Sequence, residues 1–216
     1  DLKRRHQCAR PITLGRYMAA LGQSSDPAGF SYHAGGLPLE PGLCEVITAE
    51  SSAPGQRHAH LQRFVGSVAV KSWRGEPGDR QGEVGGVAWL RVIDWIPYQR
   101  RTFVTPAFPG YVSGHSTFSR AAAEVLAALT GSPYFPGGLG TYSTKANAYL
   151  VFERGPSVDV QLQWATYYDA ADQAGQSRIY GGIHILPDDH HGRRIGHDVG
   201  LAAYARVKPY WNGTAR

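Results

Sequence analysis

Hydrophobic positions recur with a helical period over three long stretches of the chain. Between residues 116 and 130 small and apolar residues repeat at helical spacing, and Gly131 then marks a helix end. The same period predicts helices over residues 164–179 and 188–207. In the last of these, the apolar stripe expected to face the core comprises Ile195, Val199, Ala202, Ala203 and Val207.

The N-terminal segment predicts a further helix, over residues 2–21. Pro11 lies inside it and has no backbone N–H to donate, so we expect a break or a new helix start near Arg10. Residues 51–64 begin with serine and proline, as helix starts often do, and predict a short helix.

Alternation with a period of two indicates strands. Residues 64–73 and 85–96 alternate well, and the polar stretch RGEPGDRQGE between them predicts a hairpin tip. Residues 149–152 and 157–162 are shorter strand candidates. Turn-forming residues crowd the stretch FPGGLGTYS, which is therefore expected to be a loop.

These elements together indicate a mainly α protein. We expect a helical bundle that carries a loop-rich insertion with short strands over residues 22–110. Within it, residues 22–41 are rich in turn-forming residues and are expected to be loop. The whole chain, residues 1–216, is expected to form one domain.

Composition narrows the choice of partners. The formal charge of +5 and the pI near 9.3 suit an anionic ligand, but no basic tract is interleaved with aromatic residues as nucleic-acid binding would require. No apolar run is long enough to span a bilayer, so we expect a soluble chain. Cys8 and Cys44 either pair or are ordinary buried thiols, because two cysteines define no disulfide framework.

Candidate chemistry begins with Ser113-Gly114-His115, directly ahead of the central helix. A helix start offers unpaired backbone N–H groups and the positive end of the helix dipole, and a glycine lets a ligand approach the backbone closely. His115 would then give or take a proton. The tripeptide equally fits a serine helix cap followed by an incidental histidine.

A second cluster lies in SRIYGGIHILPDDHHG. Arg178 precedes His184 by six positions, and Asp188 follows it by four. A guanidinium gives forked donors to a tetrahedral oxyanion, and a histidine held by a carboxylate is a better nucleophile or metal ligand.

A third group lies at the start of the chain, in KRRHQCARP. Lys3 and Arg10 are seven positions apart, which is two helical turns, so we expect them to share one face of a helix. Two cations on one helix face are by themselves usually only solvated.

Taken in order, these groups resemble the signature of the vanadium-dependent haloperoxidase and type 2 acid phosphatase superfamily. The matching residues are Lys3…Arg10-Pro11, Ser113-Gly114-His115 and Ser177-Arg178…His184…Asp188. The run TPAFPGYVSGHSTFSRAAAEVL is more similar to the soluble bacterial haloperoxidase branch than to membrane lipid phosphatases. Val112 stands where the family often has proline, which leaves the donors unaffected.

The resemblance implies a role for each of these residues. The groups that would bind vanadate or phosphate are Lys3, Arg10, Ser113, Gly114 and Arg178. His184 would bind the metal or attack phosphorus, and His115 would act as acid and base. Phe108 lies in a proline-bracketed run ahead of Ser113 and would line a halide pocket, although simple packing explains it equally well.

Asp188 has two interpretations. Its spacing places it near His184, but Pro187 interrupts any helix that the two would share. Pro187 also fits the first turn of a new helix, whose positive end Asp188 and Asp189 would favour.

The resemblance also implies an enzyme with vanadate as cofactor, which oxidises halide with hydrogen peroxide to hypohalous acid. The alternative is a metal-free acid phosphatase that cleaves phosphate esters through a phosphohistidine at His184. An oxyanion-binding domain without catalysis is a third reading, which the complete polar set disfavours. The histidines outside the motifs lack metal-ligand spacing to cysteine or carboxylate; they include His58, His60, His190 and His191.

The position of Lys3 suggests a missing neighbour. Chain ends are usually poorly ordered, whereas a lysine that contacts an anion must be held rigidly. We therefore expect residues 1–216 to be the C-terminal part of a longer protein. Its N-terminal part, as a separate fragment or a partner subunit, would pack against residues 2–21, and a homo-oligomer is a further option. A secreted or periplasmic location is favoured.

Overall fold

The computed structural model divides the chain into two compact units. The residues described are 1–21, 36–75, 79, 85–97, 104–149 and 155–215. The first unit comprises Asp1–Cys8 and Ala107–Arg216, and the second comprises Ala9–Pro106. The predicted insertion over residues 22–110 overlaps the second unit.

Within the described ranges, five α-helices and five β-strands follow one another along the chain. The helices are α1 (Leu2–His6), α2 (Pro11–Leu21), α3 (Gly114–Thr130), α4 (Tyr167–Tyr180) and α5 (Leu186–Trp211). The strands are β1 (Cys44–Val46), β2 (Val68–Trp73), β3 (Val87–Arg91), β4 (Gly140–Thr144) and β5 (Val160–Trp164). Short 3-10 helices cover Ala59–Phe64 and Pro136–Gly138. The three long helices predicted from the hydrophobic period correspond to α3, α4 and α5.

The core of the first unit forms where α3 packs against α4 and α5. The face of α5 that meets α3 is made of glycines, not of the predicted apolar stripe. A Cβ on Gly200 would lie 2.6 Å from the carbonyl oxygen of Ala121, and a Cβ on Gly196 would lie still closer to the carbonyl oxygen of Thr117. The predicted stripe is wrong, since Val199 is 52% exposed. Glycine occupies this face because only a residue without a side chain lets the two helix backbones come so close.

A buried carboxylate, Glu124 on α3, lies inside the bundle. Its Oε1 accepts from Arg120 Nε at 2.8 Å and lies 2.7 Å from His197 Nδ1, while Oε2 accepts from Tyr168 OH at 2.8 Å. Burial raises the pKa of Glu124, but the hydrogen bonds from His197, Arg120 and Tyr168 hold it below its ordinary value. The bundle is thus held by a polar network as well as by apolar packing.

The ends of α3 and α4 follow local signals. Gly131 ends α3 in the left-handed conformation, with φ of 72°. α4 begins later than predicted because Thr166 caps it: Thr166 Oγ1 accepts from Asp169 N at 3.0 Å, and Asp169 Oδ2 accepts from Thr166 N at 2.8 Å.

Strand β4 was not predicted, because it lies in the glycine-rich stretch expected to be a loop. It pairs with β5 in antiparallel register, with Tyr142 opposite Leu162. Gly140 lets β4 pass over Phe135, whose ring would collide with a Cβ at this position. The strand predicted over 149–152 lies outside the described residues except for Tyr149, which is in a bend.

The second unit contains an antiparallel sheet in the order β1-β2-β3. Val70 on β2 is opposite both Cys44 and Leu90. This confirms the predicted pairing of two consecutive strands, while most of the predicted hairpin tip lies outside the described residues. A small buried cluster covers the sheet and comprises Ile47, Leu61, Ala69 and Trp89.

The helix predicted over residues 51–64 is only half correct, since the 3-10 helix begins at Ala59. The preceding residues form turns, held by side-chain bonds between Thr48 and the two serines that follow. Ser52 Oγ donates to Thr48 O at 2.7 Å, and Thr48 N donates to Ser51 Oγ at 2.9 Å. Such local bonds compete with helical ones and keep this segment out of a regular helix.

Three smaller expectations can be compared with the structure. Cys8 and Cys44 are free thiols, and burial raises the pKa of Cys44 to about 11. Of the loop predicted over residues 22–41, residues 22–35 lie outside the described residues. Among the described helices, none combines the length and apolar character that a membrane span requires.

Candidate oxyanion site

The N-terminus of α3 is built around the buried Ser113. Its Oγ accepts from Ser116 N at 3.4 Å, and its carbonyl oxygen accepts from Thr117 N at 3.1 Å. Ser113 is therefore a helix cap, as one interpretation predicted. The cap does not consume the hydroxyl proton, which stays available for donation to a ligand. Helix geometry also gives the N–H groups of Gly114 and His115 no acceptor within the helix.

His184 lies in the short connection between α4 and α5 and is held by a carboxylate. Its Nδ1 is 2.8 Å from Asp188 Oδ2, and both side chains are buried. α5 begins at Leu186, with Pro187 and Asp188 in its first turn. Both interpretations of Asp188 therefore describe its geometry: it starts a new helix and it contacts His184.

A backbone hydrogen bond joins these two parts of the site. Ser113 N donates to the carbonyl oxygen of Asp188 at 2.9 Å. The residue that holds His184 is thus bonded directly to the residue that caps α3. The structure brings the Ser113-Gly114-His115 motif and the cluster of Arg178, His184 and Asp188 together, although they are more than 60 positions apart.

His115 lies in the electrostatic field of the same cluster. Although its side chain is exposed, partial desolvation lowers the pKa of His115, and the neighbouring charges of Arg178 and His184 lower it further. The ring is therefore predominantly neutral near pH 7. A neutral imidazole beside a guanidinium is suited to accept a proton.

Lys3 lies against the segment that leads into Ser113. Its Nζ donates to the carbonyl oxygens of Pro109 at 3.0 Å, Gly110 at 2.9 Å and Val112 at 2.7 Å. It also lies 5.3 Å from the centroid of the Phe108 ring, which is 54% exposed. An ammonium has three N–H donors, so Lys3 anchors this segment in addition to bringing a positive charge. The sequence did not indicate this anchoring role.

The predicted helix face shared by Lys3 and Arg10 is wrong. α1 ends at His6, and Gln7 adopts the left-handed conformation with φ of 45° and ψ of 36°. A second helix then begins at Pro11, a residue that suits the first position of a helix. Arg10 belongs to the second unit, where its side chain is buried, and its predicted contact with an anion stays a prediction.

Tyr111 is a residue of this region that the sequence analysis missed. Its ring meets His6 edge-on at a centroid distance of 4.8 Å and His191 at 5.4 Å. These contacts tie α1 and α5 to the segment before Ser113. The available signal was an aromatic residue in an extended run next to the motif, which by itself indicates only packing.

Two of the other histidines named in the sequence analysis, His58 and His60, lie in the second unit. His58 is buried in the second unit, and His60 Nε2 lies 2.8 Å from Trp89 O. Across the part of the chain that the structure describes, no group of three or more His, Cys, Asp or Glu side chains is arranged to hold a metal ion.

Residues 57–213 match the family described as the VCPO second helical-bundle domain. No curated protein matches the chain.

Three solved structures are similar to this one. A bacterial vanadium-dependent chloroperoxidase in its holo form has a TM-score of 0.54 and 21% identity over 65% of this chain and 27% of its own. Its apo form has a TM-score of 0.53 and 21% identity over 65% and 28%. A bacterial vanadium-dependent iodoperoxidase is 31% identical over 51% of this chain and 23% of its own, with a TM-score of 0.35. The chain thus spans about a quarter of the chloroperoxidase length, and that likeness concerns the fold.

Proposed function

The chain belongs to the family of the VCPO second helical-bundle domain, in the vanadium haloperoxidase superfamily, and we propose that it binds vanadate and oxidises halide with hydrogen peroxide to hypohalous acid. The observation that carries the proposal is the buried contact between His184 and Asp188 beside the N-terminus of α3. A carboxylate on Nδ1 fixes the tautomer of a histidine that binds a metal through Nε2.

The donor set fits a vanadate anion. Positive charge would come from Lys3 and Arg178, with Arg10 as a further predicted contact, and hydrogen-bond donors would come from the Ser113 hydroxyl and the Gly114 N–H. Guanidinium and helix-start N–H groups are the donors that a tetrahedral oxyanion prefers. A Cβ added to Gly114 would meet no heavy atom within 4 Å, so there is open space beside this backbone.

Each side chain then has a distinct task. When bound, vanadate would act as a Lewis acid that activates peroxide without changing its own oxidation state. Asp188 holds Nδ1 of His184, so the Nε2 of His184 would be the nitrogen that binds the metal. The unprotonated ring nitrogen of His115 takes a proton from the incoming peroxide. Phe108 lies beside Lys3 and offers an aromatic edge to the halide.

A phosphatase remains the second candidate, because the same geometry serves phosphorus. A histidine oriented by a carboxylate is an activated nucleophile, and the donors that hold vanadate also hold a phosphoryl group. In this alternative His184 would carry a phosphohistidine, and His115 would protonate the leaving group.

One pair of assays separates the two candidates. Purified protein is incubated with vanadate, hydrogen peroxide and bromide or chloride, and halogenation of a phenol dye is followed; hydrolysis of p-nitrophenyl phosphate is measured in parallel. We expect vanadate-dependent halogenation, inhibition by phosphate, and neither activity in His184→Ala. Rapid phosphate-ester hydrolysis that vanadate inhibits, without halide oxidation, would assign the protein to the phosphatase class instead.

A further inference from the structure

Two adjacent aspartates at the start of α5 are buried, and they contact different parts of the first unit. Asp188 holds His184, as described above. Asp189 is only 1% exposed and turns towards α3 and α4. The sequence motifs assign it no role beyond the helix start.

Asp189 accepts hydrogen bonds from two side chains. Ser116 Oγ donates to its Oδ1 at 2.6 Å, and Ser116 is fully buried. Arg193 donates from Nε to Oδ1 at 3.1 Å and from Nη2 to Oδ2 at 2.7 Å. A buried carboxylate with three such donors is fully compensated, so this cluster is a stable fixture of the fold.

The cluster also reaches α4. Arg193 Nη1 lies 2.7 Å from Asp172 Oδ2, so a single guanidinium bridges two carboxylates on two helices. Gly175 faces Asp189 from α4, and a Cβ at this position would collide with Asp189 Oδ1. α4 therefore packs directly onto the carboxylate.

Two cross-links result between the starts of α3 and α5. Ser113 N is bonded to Asp188 O, and Ser116 Oγ is bonded to Asp189 Oδ1. Because Asp188 holds His184 through a hydrogen bond, the position of His184 relative to the N-terminus of α3 depends on this pair of bonds. The first bond joins two backbones, but the second is made by side chains and can be removed by substitution.

We propose that Ser116 and Asp189 are positioning residues, which set the place of His184 relative to the donors of Ser113 and Gly114. The proposal rests on the proposed function for its chemistry, since it concerns the same anion site. Neither residue contacts the anion in this proposal; both act through Asp188. A site of this kind loses much of its binding when its groups shift by a fraction of an ångström.

The test compares Ser116→Ala and Asp189→Asn with a matched control, Ser119→Ala. Ser119 lies on the same helix, on the groove between α3 and α4 and outside the cluster. Ser116→Ala leaves Asp189 paired with Arg193, so it is expected to fold even if the isosteric Asp189→Asn does not.

Two readouts are measured well below the melting temperature. The first is the proton NMR signal of His184 Nδ1–H in the anion-free protein, which its hydrogen bond to Asp188 shifts downfield and which is assigned by its loss in His184→Gln. The second is the Kd for vanadate from a titration. We expect both cluster variants to move the signal and to raise Kd about 10–100-fold, as loss of outer-shell partners commonly does. Ser119→Ala should change neither.

Combining the two substitutions sharpens the result. If Ser116 and Asp189 act through one bond, the double variant should lose no more affinity than the worse single variant.

Cluster variants with a lowered melting temperature but wild-type imidazole signal and wild-type Kd would reduce the cluster to a structural role and overturn the proposal. If the wild-type protein itself binds no vanadate, the proposed function fails, and the imidazole signal alone then decides whether Ser116 and Asp189 position His184.

Discussion

Two buried histidines, one in each unit, have similar environments at first sight. His58 in the second unit has its Nδ1 2.9 Å from Ser51 Oγ and its Nε2 3.3 Å from Glu45 Oε1. Trp89 meets its ring edge-on at a centroid distance of 4.6 Å. His184 in the first unit has its Nδ1 2.8 Å from Asp188 Oδ2. Each ring therefore has a polar partner on Nδ1 and a carboxylate nearby.

The difference lies in which nitrogen the carboxylate faces and in what surrounds the ring. His58 contacts Ser51 through one ring nitrogen and Glu45 through the other, beside an apolar cluster. Such an arrangement holds a loop in place. His184 has its carboxylate on Nδ1 and shares its surroundings with Arg178 and His115. A carboxylate on Nδ1 beside a helix N-terminus indicates a reactive histidine, whereas burial, a hydrogen bond and a nearby cation, which His58 also has in Arg57, do not.

The largest expected effect separates these two residues directly. His184→Ala should abolish turnover per folded molecule, although it too loses stability because the buried Asp188 carboxylate is left without this partner. His58→Ala should retain activity per folded molecule but lose about 2–3 kcal/mol of unfolding free energy, because it leaves a cavity and unpaired polar groups. Activity assays and urea unfolding of both variants provide the check. Substantial turnover in His184→Ala would remove the basis of the comparison.

The second prediction concerns His115 as the acid–base. His115→Ala should lower the rate by roughly 10²–10⁴-fold while the Kd for vanadate changes only a few-fold, since the role proposed for the ring is to move protons and not to bind the metal. Rate and affinity are measured on the same preparation. A variant that loses vanadate but keeps its rate when saturated would show that the roles of His115 and His184 are exchanged.

The third prediction tests the carboxylate that distinguishes His184. Asp188→Asn keeps the size of the side chain but removes the charge that fixes the tautomer. Vanadate affinity should fall about 10–100-fold, as measured by titration. The matched change on the other histidine, Glu45→Gln, should leave that affinity unchanged. An unaltered Kd in Asp188→Asn would place the tautomer control elsewhere.

How far the sequence predicts the molecule depends on the range of each interaction. Gly131 and Pro187 mark helix boundaries through local backbone chemistry, and both were predictable. The bond between Ser116 and Asp189 joins residues 73 positions apart and leaves no local signal. The glycine face of α5 was missed for a different reason. Hydrophobic periodicity identifies a buried face by its apolar side chains, whereas the buried face of α5 requires residues that have no side chain.

The candidate site divides in the same way. The residue types and spacing of the motif offered contact between His184 and Asp188 as one of two interpretations, and the structure places the two side chains in contact. The three carbonyl contacts of Lys3 depend on a segment more than 100 positions away, so no pattern around Lys3 indicates them.

The smallest effect is a pH dependence that belongs to His58. Burial is the main cause that lowers the pKa of His58, Arg57 and His60 add to it, and Glu45 opposes it. The folded state therefore favours the neutral ring, and its contribution to stability is complete above the unfolded pKa of about 6.5. Stability should fall as the pH drops from there towards the lowered pKa, by up to about 1.4 kcal/mol per pH unit.

Unfolding free energies between pH 5 and 8, compared with those of His58→Gln, measure this contribution. The slope of the wild type should exceed that of the variant below about pH 6.5. Parallel curves would indicate that His58 does not change its protonation on unfolding.

The central claim is that the first unit binds vanadate through His184, and the most direct test is metal content. Wild-type protein and His184→Ala are dialysed to equilibrium against vanadate, and vanadium per chain is determined by elemental analysis. We expect vanadium bound at one site in the wild type, displaced by phosphate, and none retained by His184→Ala. Wild-type protein without vanadium, or equal vanadium in both proteins, would contradict it.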